Sequence, residues 1–195
     1  MKTAIRIALA GAATLGLSAC ISLGSEPPPS LLTLTAANGA PAGSGSTGTN
    51  ENALSVIEPS APQRLSVTRV PVQVDDATIA YLQDAVWVER PTRLFRRLLS
   101  ETIRTRTGRV VIDGFDPTFA TSQQLRGSLV EFGYDARSSS VIVRYDAMRD
   151  GENDTVVTQR FESVVSGVPA EAGPVGDALN RAANDVAGQV ADWVS

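Results

Sequence analysis

One cysteine, Cys20, is the residue whose type and setting point to chemistry, and Leu17, Ser18 and Ala19 precede it. Lys2 and Arg6 give a charged start, and Ile7 to Leu17 an apolar run of about ten residues. That run is far short of the ~20 residues needed to cross a hydrocarbon core, so it reads as an export signal. Leu-small-small-Cys at its end matches a lipobox, in which the thiol takes a lipid and the chain is cut before the cysteine. An ordinary secretory signal would share the charged start and apolar run but would not require the cysteine. One acyl chain binds a membrane only marginally at ~0.8 kcal/mol per buried CH₂, whereas the three chains of a bacterial lipoprotein anchor it permanently. Ile21, not an aspartate, follows Cys20, which favours the outer membrane.

Other chemistries are closed off. The 195 residues contain no histidine, which removes the commonest general base and metal ligand. A lone cysteine leaves no disulfide, no CxxC pair and, once lipidated, no thiol nucleophile. Lys2 is the only lysine, so cleavage before Cys20 also removes any Ser-Lys dyad or Schiff base. No catalytic residue, cofactor or metal site is expected. Gly43 to Gly48 is glycine-rich but lacks the Gly-Lys-Ser/Thr of a phosphate loop. Asp113-Gly114-Phe115-Asp116-Pro117 has turn chemistry rather than calcium-loop spacing, and Asp75-Asp76 reads as turn residues. The formal net charge of −4, two units lower without Lys2 and Arg6, argues against a nucleic-acid partner.

The elements behind the cysteine divide into a signal peptide (1–19), a lipid anchor and flexible tether (20–62) and a folded domain (63–195). Pro27-Pro28-Pro29 and the Gly/Ser/Pro stretch at 40–48 give the tether, with an r.m.s. span of roughly 35 Å for ~40 residues. Within it, Leu31 to Thr35 has strand character and is expected to add to the domain's sheet. From Gln63 onward the pattern predicts a strand over Leu65 to Val72, with Pro71 marking an edge or bulge. Two short extended pieces follow, Ala77 to Leu82 and Ala85 to Val88, about a Gln83-Asp84 turn.

A helix is predicted over Pro91 to Thr107, started by Pro91 and stopped by Gly108. Leu94, Phe95, Leu98, Leu99 and Ile103 share one face, and Arg93, Arg96, Arg97 and Arg104 the opposite one, with Glu101 spaced to pair with Arg97. This arginine face reads as a solvated helix face, with a docking surface for an acidic partner or anionic lipid as the functional alternative. A short strand over Val110 to Ile112 precedes three alternating strands, Leu129 to Tyr134, Val141 to Ala147 and Thr155 to Val165, joined as hairpins. A last helix over Val175 to Val194 carries an alanine-rich apolar stripe, with Asp177, Arg181, Asn184 and Asp192 facing away. The expected class is α+β, a mostly antiparallel sheet with two amphipathic helices on one face. Trp87 and Trp193 read as core or subunit-interface residues, so a homo-oligomer is left open.

The order of these segments carries a resemblance. A lipobox at Cys20, Leu31-Leu32-Thr33-Leu34, Val67-Thr68-Arg69-Val70-Pro71-Val72, Ile79-Ala80-Tyr81-Leu82, Trp87 and the helix from Arg93 to Ile103 resemble the ABC-type transport auxiliary lipoproteins. Those are partners of mammalian-cell-entry-domain lipid transport systems, including the paraquat-inducible type. The chain departs from them in having Leu31-Leu32 where an aromatic pair and proline are usual, and in its longer Gly/Ser/Pro insert. The resemblance implies a non-enzymatic lipoprotein at the periplasmic face of the outer membrane. Its implied partners are a mammalian-cell-entry-domain protein and its ABC permease and ATPase. A different class, an envelope-assembly or cell-wall-associated regulatory lipoprotein, fits the same tethered domain.

Overall fold

The computed structural model describes residues 30–114, 123–151, 153 and 155–195. The signal-peptide segment and Cys20 lie outside the described residues. Seven strands and two helices form an α+β fold with both helices on one face of a mixed sheet. The strands are β1 (Leu54–Val56), β2 (Arg69–Gln73), β3 (Ile79–Val86), β4 (Val111–Asp113), β5 (Gln123–Asp135), β6 (Ser140–Asp150) and β7 (Val156–Ser166). The helices are α1 (Pro91–Thr107) and α2 (Ala172–Trp193).

The long strand β5 organises the sheet. One side pairs with β6 in antiparallel fashion, and β6 pairs with β7 over eleven unbroken residue pairs from Ser140↔Ser166 to Asp150↔Val156. The other side is shared: β1 runs parallel to the start of β5 (Leu54↔Gln123) and β2 parallel to its end (Val72↔Tyr134). Beyond them lie the short β4, parallel to β1, and β3, antiparallel to β2. Period-two alternation puts Leu125, Leu129, Phe132, Val143, Tyr145 and Phe161 on the helix side, all buried. Phe95 of α1 closes on this layer, its ring 5.3 Å from Tyr145 and 6.4 Å from Phe132, and Trp87 meets Phe132 at 5.5 Å. Trp87 is thus a core residue. The small residues Ala178, Ala182, Ala183, Ala187 and Ala191 let α2 pack closely against α1, β6 and β7.

Helix α1 has the predicted bounds, and Gly108 takes the left-handed conformation (φ 68°) that ends it. Both predicted hairpins form, and Pro71 sits at a register shift in β2. The sheet's close packing needs glycine at 133, where a β-carbon would lie 2.5 Å from the Pro71 carbonyl oxygen.

Beyond the later start of the strand predicted from Leu65, which begins at Arg69 after a 3-10 turn at Gln63–Leu65, three expectations change. The folded unit takes in residues assigned to the tether beyond the Leu31 to Thr35 piece expected to join the sheet, whose Leu32 bridges Trp87: Leu54, Ser55 and Val56 are buried between β4 and β5. A three-residue strand leaves almost no local pattern, and its partners lie 57 and more positions away. Second, the two extended pieces are one strand. Asp84 (φ 57°) makes a bulge there, so the register passes from Arg69↔Val86 to Pro71↔Tyr81 without a turn. Third, Glu101 pairs with Arg104 at 2.6 Å, not with Arg97, which turns to Glu89.

Candidate docking surfaces

The arginine face is held by carboxylates of its own chain. Arg93 reaches Glu58 (3.7 Å) just past β1, and Arg96 reaches Asp113 (3.3 Å) at the end of β4. Arg97 pairs with Glu89, and Arg104 with Glu101 while also donating to the Val111 carbonyl (3.2 Å). Two hydroxyls of α1 join the same acids: Thr92 donates to Glu58 (2.7 Å) and Ser100 to Asp113 (3.0 Å). This row fastens α1 to the ends of β1 and β4. Glu58, Glu89 and Asp113 belong to it but lie off the helix, where no helical spacing could reveal them.

A second set of contacts holds the segment before β1. The Leu32 N–H donates to Val86 O (2.7 Å), and Val88 N–H donates to Leu32 O (2.9 Å). Asn180 accepts from Thr35 N–H (2.9 Å), and Asn184 accepts from Ala37 N–H (2.7 Å) while donating to Thr35 O (2.9 Å). Glu101 accepts from Ala40 N–H at 2.6 Å. Residues 32–40 therefore form a strap across both helices. Asn184, expected to face away, is half-buried because it is the strap's backbone partner.

The sheet face opposite the helices is uncovered and carries a lattice of ion pairs. Arg64 meets Glu131 (2.8 Å), Arg126 meets Asp150 (2.6 Å), and Arg144 meets Glu162. Arg160 grips both oxygens of Asp146 at 2.6 and 2.7 Å. Its hydrogen bonds hold the Asp146 carboxyl below the usual carboxylate range, and Arg137 does the same for Asp135. A depression of about 320 Å³ opens on this face between Arg64, Glu131, Gly133, Arg137, Ile142 and Arg144. Asp75 and Asp76 are separate in role: Asp75 accepts from Ala77 N–H (2.9 Å) within its turn, and Asp76 pairs with Arg137. Among the described residues no three or more histidine, cysteine, aspartate or glutamate side chains converge as metal ligands. None of the described helices is long and apolar enough to cross a membrane.

A family model described as "ABC-type transport auxiliary lipoprotein component" matches residues 32–191, from the strap through nearly all of α2. No curated protein matches. Among solved structures, a crystal structure of an uncharacterised protein superposes with a TM-score of 0.66 at 13% identity, covering 85% of this chain and 100% of that one. A Xanthomonas campestris protein superposes with a TM-score of 0.66 at 16% identity, covering 84% and 92%. At these identities the two likenesses establish a shared fold.

Proposed function

From the premise that this chain belongs to the family of ABC-type transport auxiliary lipoprotein components, we propose that it is a non-enzymatic docking subunit of a mammalian-cell-entry-domain lipid transport system. Lipids on Cys20 tie it to the periplasmic face of the outer membrane. There it helps the periplasmic complex engage that membrane, while the ABC permease and ATPase supply energy from the cytoplasmic side. The observation that carries this reading is the family match over 32–191 lying directly behind a lipobox at Leu17-Ser18-Ala19-Cys20. The absence of histidine from the chain, and of lysine beyond Lys2, agrees with a role by position rather than by bond chemistry.

Affinity purification of the full chain from its native envelope tests the proposal. Recovery of a mammalian-cell-entry-domain protein with its permease is the expected result. Recovery of peptidoglycan synthases with no transporter component would overturn it. A Cys20→Ala variant is expected to lose labelled palmitate and leave the membrane fraction, and retention of the label would refute the anchor.

A further inference from the structure

We infer that the outer edge of β7 pairs with β7 of a second copy of this chain, antiparallel and about a two-fold axis at Phe161. An unpaired edge strand is a ready template for another strand, and proteins usually blunt such edges with proline, bulges, short length or a covering segment. The other two edges are blunted in these ways. β3 is bulged at Asp84 and is followed by the strap bridge at Leu32 and Trp87. β4 is three residues long.

β7 has none of these protections, and at its edge Gln189 of α2 makes only a long side-chain contact (3.4 Å) to the Glu162 carbonyl oxygen. It runs eleven residues without proline, keeps unbroken register with β6, and has no described strand on its other side. Val156 and Val164, near its two ends, are 57% and 48% exposed.

The occupant follows from the charges. Only Arg160 and Glu162 are ionisable along β7, and both lie on the uncovered face of the sheet. Antiparallel pairing about Phe161 sets Arg160 opposite Glu162 of the second copy, twice over by symmetry. The same register sets Thr158 opposite Val164 and Val157 opposite Val165. A shift of the axis by one residue puts Arg160 against Arg160 or Glu162 against Glu162, and like charges directly opposite are destabilising. Only the register about Phe161 sets the two opposite charges against each other, and in it the Asp146–Arg160 and Arg144–Glu162 pairs become the inner part of a lattice shared by two copies. This inference is independent of the transport reading.

The full chain purified in detergent, carrying Thr158→Cys with Val164→Cys, tests it without touching either ion pair. Within one chain these positions are six residues, about 20 Å, apart on a strand, so they cannot bridge. Under mild oxidation the double variant is expected to form a disulfide-linked dimer at least tenfold above either single variant. Glu162→Arg, which opposes two arginines, is expected to weaken self-association at least about tenfold. A wild-type chain that stays monomeric by light scattering would overturn the inference. So would a double variant that cross-links no better than the single ones.

Discussion

Leu32 lies over Gly176 of α2 so closely that a β-carbon at 176 would come within 2.6 Å of its Cδ2. The glycine is in the first turns of a helix, where alanine would ordinarily be favoured by about 1 kcal/mol. Here that gain is opposed by crowding of the strap. Gly176→Val is expected to displace Leu32 and lower stability by about 1–3 kcal/mol. Adding Leu32→Ala should recover part of that loss. Denaturant titration of the two single variants and the double variant gives the coupling, and additive losses would show that the two residues act independently.

Asn184 makes both a donor and an acceptor contact with the strap backbone. Asn184→Ala removes both and is expected to cost about 1–2 kcal/mol. Hydrogen exchange should then accelerate at Ala37, whose amide loses its acceptor, while amides in β5 and β6 stay protected. Uniform acceleration across the sheet would mean that the strap is not a separable unit.

Reversal of Arg93, Arg96 and Arg97 to Glu sets three carboxylates against Glu58, Asp113 and Glu89. Exposed pairs of this kind contribute about 0–1 kcal/mol each, so the triple variant is expected to melt several degrees lower with unchanged circular dichroism. Charge reversal of the three acids in the same background should restore the melting temperature. Loss of partner binding that persists in that compensated variant would mark a docking role for the arginines beyond fastening α1.

The Asp146 carboxyl is held low by Arg160. A depressed folded value means that its stabilisation is fully present above the ordinary carboxylate range, near pH 4, and is lost as the pH falls through the folded value. Thermal midpoints are expected to hold steady from neutral pH to about 5 and to fall below about 4. Asp146→Asn should lower the neutral midpoint and make the acid decline shallower. An unchanged acid slope would show that other carboxylates, such as Asp135, carry it.

Helix α1 was legible from the residues because its signals are local: a proline at the start, a glycine at the end and an apolar face between them. The β5–β6 and β6–β7 hairpins were legible for the same reason, since alternation and turn residues lie side by side. β1 was not. Leu54-Ser55-Val56 acquires its burial from strands at 111–113 and 123–125, and parallel pairing leaves no turn to announce it. Asn180 and Asn184 have outward spacing on α2, and only the strap, some 145 residues earlier, gives them a purpose. The arginine face is legible in the helical spacing, but three of its four acids, Glu58, Glu89 and Asp113, come from loops and a strand end off the helix. Alternation marks β7 as a strand, and only the topology reveals that one of its sides has no described partner strand.

The strap also sets a length scale. A leash running from Cys20 to Gln63 could extend about 140 Å, whereas the twelve steps from Cys20 to Leu32 reach at most about 40 Å. With the anchor proposed at Cys20, the domain is confined to a thin layer beside its bilayer. Two copies meeting there search a surface rather than a volume, and such confinement raises their effective concentration without any new contact. The edge pairing is then governed by how densely the membrane is populated as well as by its own affinity.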